Sequence, residues 1–308
     1  MIAIVCPGQG SQTPGFFNPW LELPAFRSSI ERMGEVNGIN LIRHGTISDA
    51  DTIRDTAIAQ PLIVSASVAS FDALSNGKSA KELGVEGIAG HSVGEIAAAV
   101  IGGVFNAEQG ISFVKARGDA MAKAAALEVT SMAAVLGGDQ VEVEQALSNF
   151  GLEPANYNGS SQIVAAGSAE GIASLQENPP AGSRVIPLQV AGAFHTRFMK
   201  PAVSELASFA ETLVVTDPEI NLWSNANGNQ VQLGADFLAS LINQVSSSVR
   251  WDLCMQAMLD AGVTALIEVS PAGTLAGLAK RAMPGIEILA LKAPENLDAA
   301  RTLISSHQ

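Results

Sequence analysis

The chain has 308 residues, of which 47% are hydrophobic, 15% charged and 5% aromatic. With 29 glycines and many alanines, this composition excludes a disordered chain and predicts an α/β protein with helices packed closely on a sheet. Because the formal net charge is -13, we expect the chain to bind neither a nucleic-acid backbone nor an anionic membrane surface.

The two cysteines are Cys6 and Cys254, and neither belongs to a CxxC pair or lies near a histidine cluster. We therefore expect neither a disulfide scaffold nor a metal site, and a reducing cytoplasm fits this cysteine usage. No run approaches the ~18 unbroken apolar residues that a membrane helix needs, and no basic segment precedes the first apolar run.

The first predicted element is a buried strand over residues 2–6, followed by the loop Pro7-Gly8-Gln9-Gly10-Ser11-Gln12. Apolar residues recur at helical spacing between 57 and 74, and a second short buried strand ends at Gly90. Two helices follow, over 96–104 and about 107–126.

The pattern changes between residues 130 and 190, where strand, helix, strand, strand, helix and strand follow one another. That βαββαβ order is typical of a ferredoxin-like unit. We expect a small subdomain at 128–190, inserted into a large α/β domain formed by 1–127 and 191–308, with a cleft between them. The predicted strands are 132–135, 155–158, 162–166 and 184–188, and the predicted helices are 141–150 and 169–177. The later chain is predicted to add helices at 201–213 and 252–261 and a strand at 265–269.

Ser92 lies in Gly90-His91-Ser92-Val93-Gly94, between a predicted strand and a predicted helix. A nucleophilic serine needs such a sharp turn, and flanking glycines let the helix pack closely behind it. The helix N-terminus can then stabilise an oxyanion, with the Val93 amide as the first candidate donor. The alternative is a serine that only caps a tight turn.

A base for Ser92 must come from four histidines. His307 lies in a terminal tail, His44 lies among turn-forming residues, and His91 is adjacent to Ser92 and should point away from it. His195 remains, at the point where the chain leaves the predicted subdomain. The alternative is a structural histidine beside a core phenylalanine.

Arg117 occupies an apolar face of its predicted helix. Phe113, Arg117 and Met121 form one stripe, whereas the neighbouring charged residues lie on the opposite side. A buried guanidinium needs an anionic partner, and its planar fork suits a carboxylate. That partner is either a substrate carboxylate or an internal Asp or Glu.

At these positions the sequence resembles the malonyl-CoA:acyl-carrier-protein transacylase family of type II fatty acid synthesis, and the acyltransferase domains of polyketide synthases. The resemblance covers almost the whole chain. It implies an α/β-hydrolase-like large domain with a parallel core sheet plus the inserted ferredoxin-like subdomain. The motifs that carry it are Pro7-Gly8-Gln9-Gly10-Ser11-Gln12, Gln60-Pro61, the Ser92 turn, Arg117-Gly118 with Met121, Ala193-Phe194-His195-Thr196 and Val249-Arg250-Trp251.

The resemblance also implies roles for individual residues. Ser92 is the nucleophile and His195 the base, in a dyad without an acidic third member. The main-chain carbonyl of Arg250 orients the histidine, and Arg117 binds the malonyl carboxylate. The oxyanion hole falls on the backbone amides of Gln9 and Val93, and the other substrate-binding residues are Gln60, Met121 and Phe194, the last resembling the malonyl-selective pattern.

The implied reaction moves malonyl from malonyl-CoA to the phosphopantetheine thiol of an acyl carrier protein for fatty acid biosynthesis. No cofactor is expected, since the coenzyme A thioester is a substrate, and a monomer is expected. Arg197 and Lys200 are candidates for a basic rim that receives an acidic carrier. The alternatives are a polyketide or malonate-decarboxylase-type acyltransferase, a serine thioesterase or esterase, and a silent carrier-binding subunit.

Overall fold

The computed structural model describes residues 1–159 and 161–307, which form two β-sheets and the helices packed on them. The first sheet has the strand order β11-β10-β1-β2-β7-β8, and the second has the order β6-β3-β5-β4-β9. The strands are β1 (Ile2–Cys6), β2 (Gly87–Gly90), β3 (Thr130–Gly137), β4 (Glu153–Tyr157), β5 (Gln162–Ser168), β6 (Ser183–Leu188), β7 (Asn221–Trp223), β8 (Gln230–Val231), β9 (Val249–Arg250), β10 (Ala265–Glu268) and β11 (Glu287–Ala290).

The helices surround the first sheet and cover one face of the second. Short 3-10 turns occur at Trp20–Glu22, Thr52–Arg54, Arg197–Met199 and Pro294–Asn296. The α-helices are α1 (Pro24–Asn37), α2 (Leu41–Thr46), α3 (Thr56–Ser75), α4 (Ala80–Leu83), α5 (Gly94–Ile101), α6 (Ala107–Ala125), α7 (Gln140–Asn149), α8 (Ala169–Glu177), α9 (Lys200–Ala210), α10 (Gly234–Gln244), α11 (Trp251–Asp260), α12 (Thr274–Ala282) and α13 (Leu297–Ser306).

The centre of the first sheet is parallel, and its strands end side by side. β1 pairs with β10 and β2, and β2 pairs with β7, in a register that sets Cys6 opposite Gly90. Both β1 and β2 are fully buried, as is typical of parallel strands covered on both faces. The loops that follow these two strands therefore lie next to each other, which confirms the predicted buried first strand and its loop.

Helix α3 is the central helix of the larger body. It is long and apolar enough to cross a membrane by length and composition, but 83% of its apolar window is buried inside the protein. It packs against α6, α1 and α5, so it forms part of the hydrophobic core. Its Asp55 cap accepts a hydrogen bond from the Ala57 amide, which fixes where the helix begins.

The second sheet follows the predicted order β3-α7-β4-β5-α8-β6, with strand bounds within three residues of the prediction. β3 is antiparallel to β5 and β6, and β4 is antiparallel to β5. The sheet extends beyond residues 128–190, because β9 from the later chain pairs in parallel with β4. This pairing, which the sequence did not indicate, ties the second sheet to the chain segment that leads out of α10.

Candidate active site

Ser92 lies at the sharp turn between β2 and α5 and adopts a left-handed backbone with φ of 53°. This region is unfavourable for a residue with a side chain, so the surrounding structure must hold it. A β-carbon at Gly90 would overlap the backbone of Gly94, and one at Gly94 would overlap the carbonyl of Cys6. The two glycines are therefore required by close backbone packing, and the predicted strand-turn-helix placement of Ser92 is confirmed.

His195 contacts the Ser92 hydroxyl directly. Its Nε2 lies 2.7 Å from Ser92 Oγ, and both residues are buried. His91, which lines the same cavity, instead places its Nε2 2.9 Å from Asn158 Oδ1. His44 and His307 have local partners at the ends of α2 and α13. His44 lies within α2 rather than in a turn, and His307 follows the last residue of α13. The structure therefore brings His195, the histidine that elimination selects, to the Ser92 hydroxyl.

The carbonyl that orients His195 belongs to Gln244, and the prediction of Arg250 is wrong. His195 Nδ1 lies 2.8 Å from the backbone oxygen of Gln244, the last residue of α10. Carbonyls in the last turn of a helix lack intrahelical partners, so this one can accept the imidazole N–H. Arg250 lies in β9, where its side chain binds Asp252 and stacks 4.6 Å from the ring centre of Tyr157.

The imidazole of His195 is held neutral. Burial, and to a smaller extent the positive charge of Arg117, lower the pKa of His195 to about 3. Because Nδ1 faces a carbonyl acceptor, the single ring proton belongs on Nδ1, which leaves the Nε2 lone pair facing the hydroxyl of Ser92. The arrangement is that of a base poised to accept the serine proton.

Arg117 lies at the floor of the site with 1% of its surface exposed. Its Nη1 donates to Gln60 Oε1 and its Nη2 to Gln244 Oε1, each over 2.7 Å, and Nη2 also lies 3.4 Å from Ser92 Oγ. Burial lowers the pKa of Arg117 to about 10, and the nearby charge of Glu95 opposes this. A guanidinium remains protonated at neutral pH under these conditions.

The alternative of a direct internal ion pair is not what the structure shows. Among the described residues, the ion pairs do not include Arg117, and its buried Nε has no hydrogen-bond partner there. Its partners are two neutral amides and the Ser92 hydroxyl, which hold the guanidinium without neutralising it. The charge is therefore open to an anion in the cavity.

Glu95 is a buried carboxyl that contacts Gln244. The Gln244 side-chain amide donates to Glu95 and, over 3.0 Å, to the backbone oxygen of Ser92. Burial raises the pKa of Glu95 to about 8, while hydrogen bonds from Asn225, Gln244 and Ser224 oppose the rise. Sequence reasoning missed both Gln244 and Asn225 as site residues.

The two amides predicted to bind an oxyanion lie on the adjacent loops after β1 and β2. Neither the Gln9 amide nor the Val93 amide donates a hydrogen bond within the described part of the chain. The loops touch, since a β-carbon on Gly8 would lie 2.8 Å from the backbone oxygen of His91. Unpaired amides beside a nucleophile are the feature that an oxyanion hole requires.

These groups open into one cavity of about 450 Å³ between the two sheets. Its far wall comes from the second sheet and its rim partly from α12. The Gln60 side chain donates to Met121 Sδ over 3.4 Å, so these two predicted residues lie together. The predicted site residues that line the cavity are Gln9, Gln60, Ser92, Arg117, Met121, Phe194 and His195.

Two further predictions concern charge and metals. Arg197, a candidate for the basic rim, is paired with Glu153 and stacks on Phe198, and neither Arg197 nor Lys200 lines the cavity.

Within the described residues, no group of three or more His, Cys, Asp or Glu side chains is arranged to hold a metal ion.

Comparison with known proteins places this site in a family. Residues 3–292 match the family described as acyl transferase domain. The chain is 44% identical to the malonyl CoA-acyl carrier protein transacylase of Mycobacterium tuberculosis, over 98% of this chain and 100% of that protein. It is 31% identical to the protein of that name from Bacillus subtilis, over 97% of this chain and 96% of the relative.

Solved structures show the same similarity. The crystal structure of MCAT from Mycobacterium tuberculosis superposes with a TM-score of 0.94 at 44% identity, covering 98% of this chain and 99% of that chain. A malonyl-transacylase in complex with a type II PKS acyl-carrier protein superposes with a TM-score of 0.91 at 27% identity, covering 98% of this chain and 99% of the other.

Proposed function

This chain belongs to the acyl transferase family, among its malonyl CoA-acyl carrier protein transacylases, and from that premise we propose a mechanism built on Ser92, His195 and Arg117. The enzyme transfers malonyl from malonyl-CoA to acyl carrier protein in fatty acid biosynthesis. One observation carries the mechanism. Ser92 Oγ lies 2.7 Å from the neutral His195 Nε2 and 3.4 Å from Arg117 Nη2, so the hydroxyl stands between a base and a buried cation.

In the first half-reaction, His195 Nε2 accepts the Ser92 proton as Oγ attacks the thioester carbonyl carbon. The carbonyl oxygen becomes an oxyanion and is stabilised by the amides of Gln9 and Val93. When the carbon–sulfur bond breaks, the imidazolium returns its proton to the departing sulfur of coenzyme A. The product is malonyl-Ser92, with the Gln244 carbonyl stabilising the imidazolium during the step.

In the second half-reaction, the phosphopantetheine thiol of the carrier attacks the ester carbon of malonyl-Ser92. His195 accepts the thiol proton, and the same two amides hold the oxyanion. Collapse breaks the bond to Ser92 Oγ, which takes the proton back from the imidazolium. Because coenzyme A leaves before the carrier thiol reacts, the kinetics are ping-pong.

The acyl group is selected by its carboxylate. Arg117 binds it in two parallel hydrogen bonds, while Gln60 and Gln244 hold the guanidinium from the side. Met121 lies against Gln60 in the acyl pocket. Phe194, which lines the cavity beside the base, restricts the room for an extra α-methyl group and so favours malonyl over methylmalonyl.

The competing activity is that of a serine thioesterase, which would release free acid. The test is product analysis after incubation of the enzyme with malonyl-CoA and the phosphopantetheinylated carrier. Malonyl-carrier should be the main product, formed in a one-to-one ratio with free coenzyme A. Free malonate as the main product in the presence of carrier would overturn the proposal.

We also propose the finer features that follow from this function. The first sheet and its helices form an α/β-hydrolase-like domain over 1–127 and 191–308, and 128–190 form a ferredoxin-like insertion, as the strand order β6-β3-β5-β4 supports. The enzyme acts as a cytoplasmic monomer without a cofactor, and its two cysteines are free and buried. Service to a polyketide carrier is a second candidate function, supported by the similarity to the malonyl-transacylase that is in complex with a type II PKS acyl-carrier protein.

A further inference from the structure

Asn225 lies in the turn after β7, fully buried beneath the Ser92 turn. All of its polar groups have partners. Its backbone N–H donates to Glu95 Oε1 over 2.6 Å, and its backbone oxygen accepts from the Arg250 N–H over 2.8 Å. A residue bound on both sides of its backbone presents its side chain in one fixed direction.

The side-chain amide closes the serine turn at both ends. Asn225 Oδ1 accepts from the Ser92 N–H over 2.8 Å, and Asn225 Nδ2 donates to the backbone oxygen of Gly90 over 2.7 Å. A flipped amide would set like groups against each other at both contacts, so the orientation is unambiguous.

These two bonds continue the sheet where its strands stop pairing. β2 and β7 are in register as far as Ala89 and Trp223, after which β2 bends into the turn. The backbone of Ser92 then leaves the sheet at φ of 53°, and its buried N–H has no other partner among the described residues. The Asn225 side chain takes the place of a neighbouring strand at that point.

We propose that Asn225 is a positioning residue, which holds the Ser92 backbone in its left-handed conformation and thereby keeps Ser92 Oγ within reach of His195 Nε2. This inference rests on the proposed function of Ser92 as nucleophile. Asn225 touches neither the hydroxyl nor the imidazole. Its effect must therefore fall on the rate of acyl-serine formation rather than on the affinity for malonyl-CoA, which depends on Arg117.

The first test compares Asn225→Ala with the wild type and with Asn227→Ala, an exposed position in the same turn. The rate of malonyl-Ser92 formation at saturating malonyl-CoA should fall ~10²-fold in Asn225→Ala, as expected when a nucleophile is misplaced by about 1 Å. The dissociation constant for malonyl-CoA should stay within about twofold, and Asn227→Ala should match the wild type. An unchanged acylation rate in a folded Asn225→Ala protein would overturn the inference.

The second test uses Asn225→Asp and does not depend on the alanine variant folding. The introduced carboxyl keeps an acceptor for Ser92 N–H, but it can donate to Gly90 only when protonated. Glu95 on α5 and Cys254 on α11 also face this position, and the wild type shares both. The ratio of variant to wild-type acylation rates should therefore fall by about tenfold or more as pH rises from 5 to 8.

A pH-independent ratio would contradict the role of the Gly90 bond. Failure of the proposed function and failure of the positioning role give different results. If the wild type itself forms no acyl-Ser92, the proposed function fails. If the wild type acylates normally and both Asn225 variants do so too, only the positioning role fails.

Discussion

Arg117 Nη2 donates to the side-chain oxygen of Gln244 over 2.7 Å, and the backbone oxygen of the same Gln244 lies 2.8 Å from His195 Nδ1. One residue at the end of α10 therefore orients both Arg117, the proposed carboxylate-binding cation, and His195, the proposed base. Its side-chain amide also donates to the backbone oxygen of Ser92. The positions of Arg117, His195 and Ser92 are thus linked through Gln244.

Gln244→Ala should separate these two roles, because it removes the side chain and leaves the backbone carbonyl in place. Arg117 and Ser92 each lose a buried hydrogen bond, whereas His195 keeps its acceptor. We expect kcat/KM for malonyl transfer to fall roughly 10- to 100-fold, in keeping with loss of a hydrogen bond to a charged group.

The matched control is Asn243→Ala at the preceding residue, whose side chain has Ala239 of its own helix as its one hydrogen-bond partner within residues 1–159 and 161–307. It should keep malonyl transfer within about twofold of the wild type. Equal losses in the two variants would show that the end of α10 matters only as a structural element.

Arg117→Ala should weaken malonyl transfer far more than acetyl transfer. A malonyl group loses the cation that pairs with its carboxylate inside a buried site, whereas an acetyl group has no carboxylate to lose. Steady-state kinetics should show kcat/KM for malonyl-CoA reduced ~10²-fold or more, the effect of removing one partner of a buried charged pair. If acetyl-CoA turnover declines by the same factor, Arg117 does not recognise the carboxylate.

The acylation rate should stay level as pH falls from 7 to about 5, a range that lies below the pKa of about 8 of the neighbouring Glu95. Burial and Arg117 lower the pKa of His195 to about 3, so the imidazole remains neutral well below the ordinary histidine range. Stopped-flow measurement of malonyl-Ser92 formation across this range provides the check. An acidic fall with a midpoint near the unperturbed value of about 6.5 would refute the depressed pKa.

The lowered pKa of His195 also predicts that the folded protein loses stability as pH falls. The unfolded chain binds a proton at His195 below about pH 6.5, whereas the folded protein does not until about pH 3. The contribution of this group to the free energy of unfolding is therefore present above pH 6.5 and declines as pH falls toward 3. Urea unfolding of the wild type and of His195→Gln should show a steeper acid loss in the wild type.

Gly90→Ala should prevent proper formation of the serine turn, because its methyl group would overlap the Gly94 backbone. We expect thermal unfolding to show a loss of at least about 1–3 kcal/mol, the range for overpacking where the backbone must move. Gly277→Ala is the control, since its β-carbon meets nothing within 4 Å and it lies inside α12. That change should stabilise the protein by about 0.5–1 kcal/mol. If Gly90→Ala leaves the free energy of unfolding unchanged or raises it, the packing argument is contradicted.

The sequence could identify Ser92, His195 and Arg117 because each has a local signature. A Gly-x-Ser-x-Gly turn, a lone suitable histidine and a charge on an apolar helical face are visible within a few neighbouring residues. Gln244 and Asn225 carry no such signal, since they meet Ser92 across 152 and 133 positions of the chain. The resemblance implies the carbonyl role for Arg250, whereas the fold brings the backbone oxygen of Gln244 to His195 Nδ1.

The long elements were predicted for a similar reason. Helices such as α3 and α6, and the buried β1, repeat their hydrophobic pattern over enough residues to be detected. β8 and β9 have two residues each and exist only because a neighbouring strand pairs with them. Their pairing is a tertiary property, and it placed β9 in the second sheet beyond the predicted boundary at residue 190.

The central claim, that Ser92 carries the acyl group, is tested most directly by the intact mass of the enzyme after brief exposure to malonyl-CoA without carrier. The wild type should gain the mass of one malonyl group, located on the peptide that contains Ser92 and discharged when the carrier is added. Ser92→Ala should gain none. A malonyl adduct that persists in Ser92→Ala, or that maps to another residue in the wild type, would contradict the account.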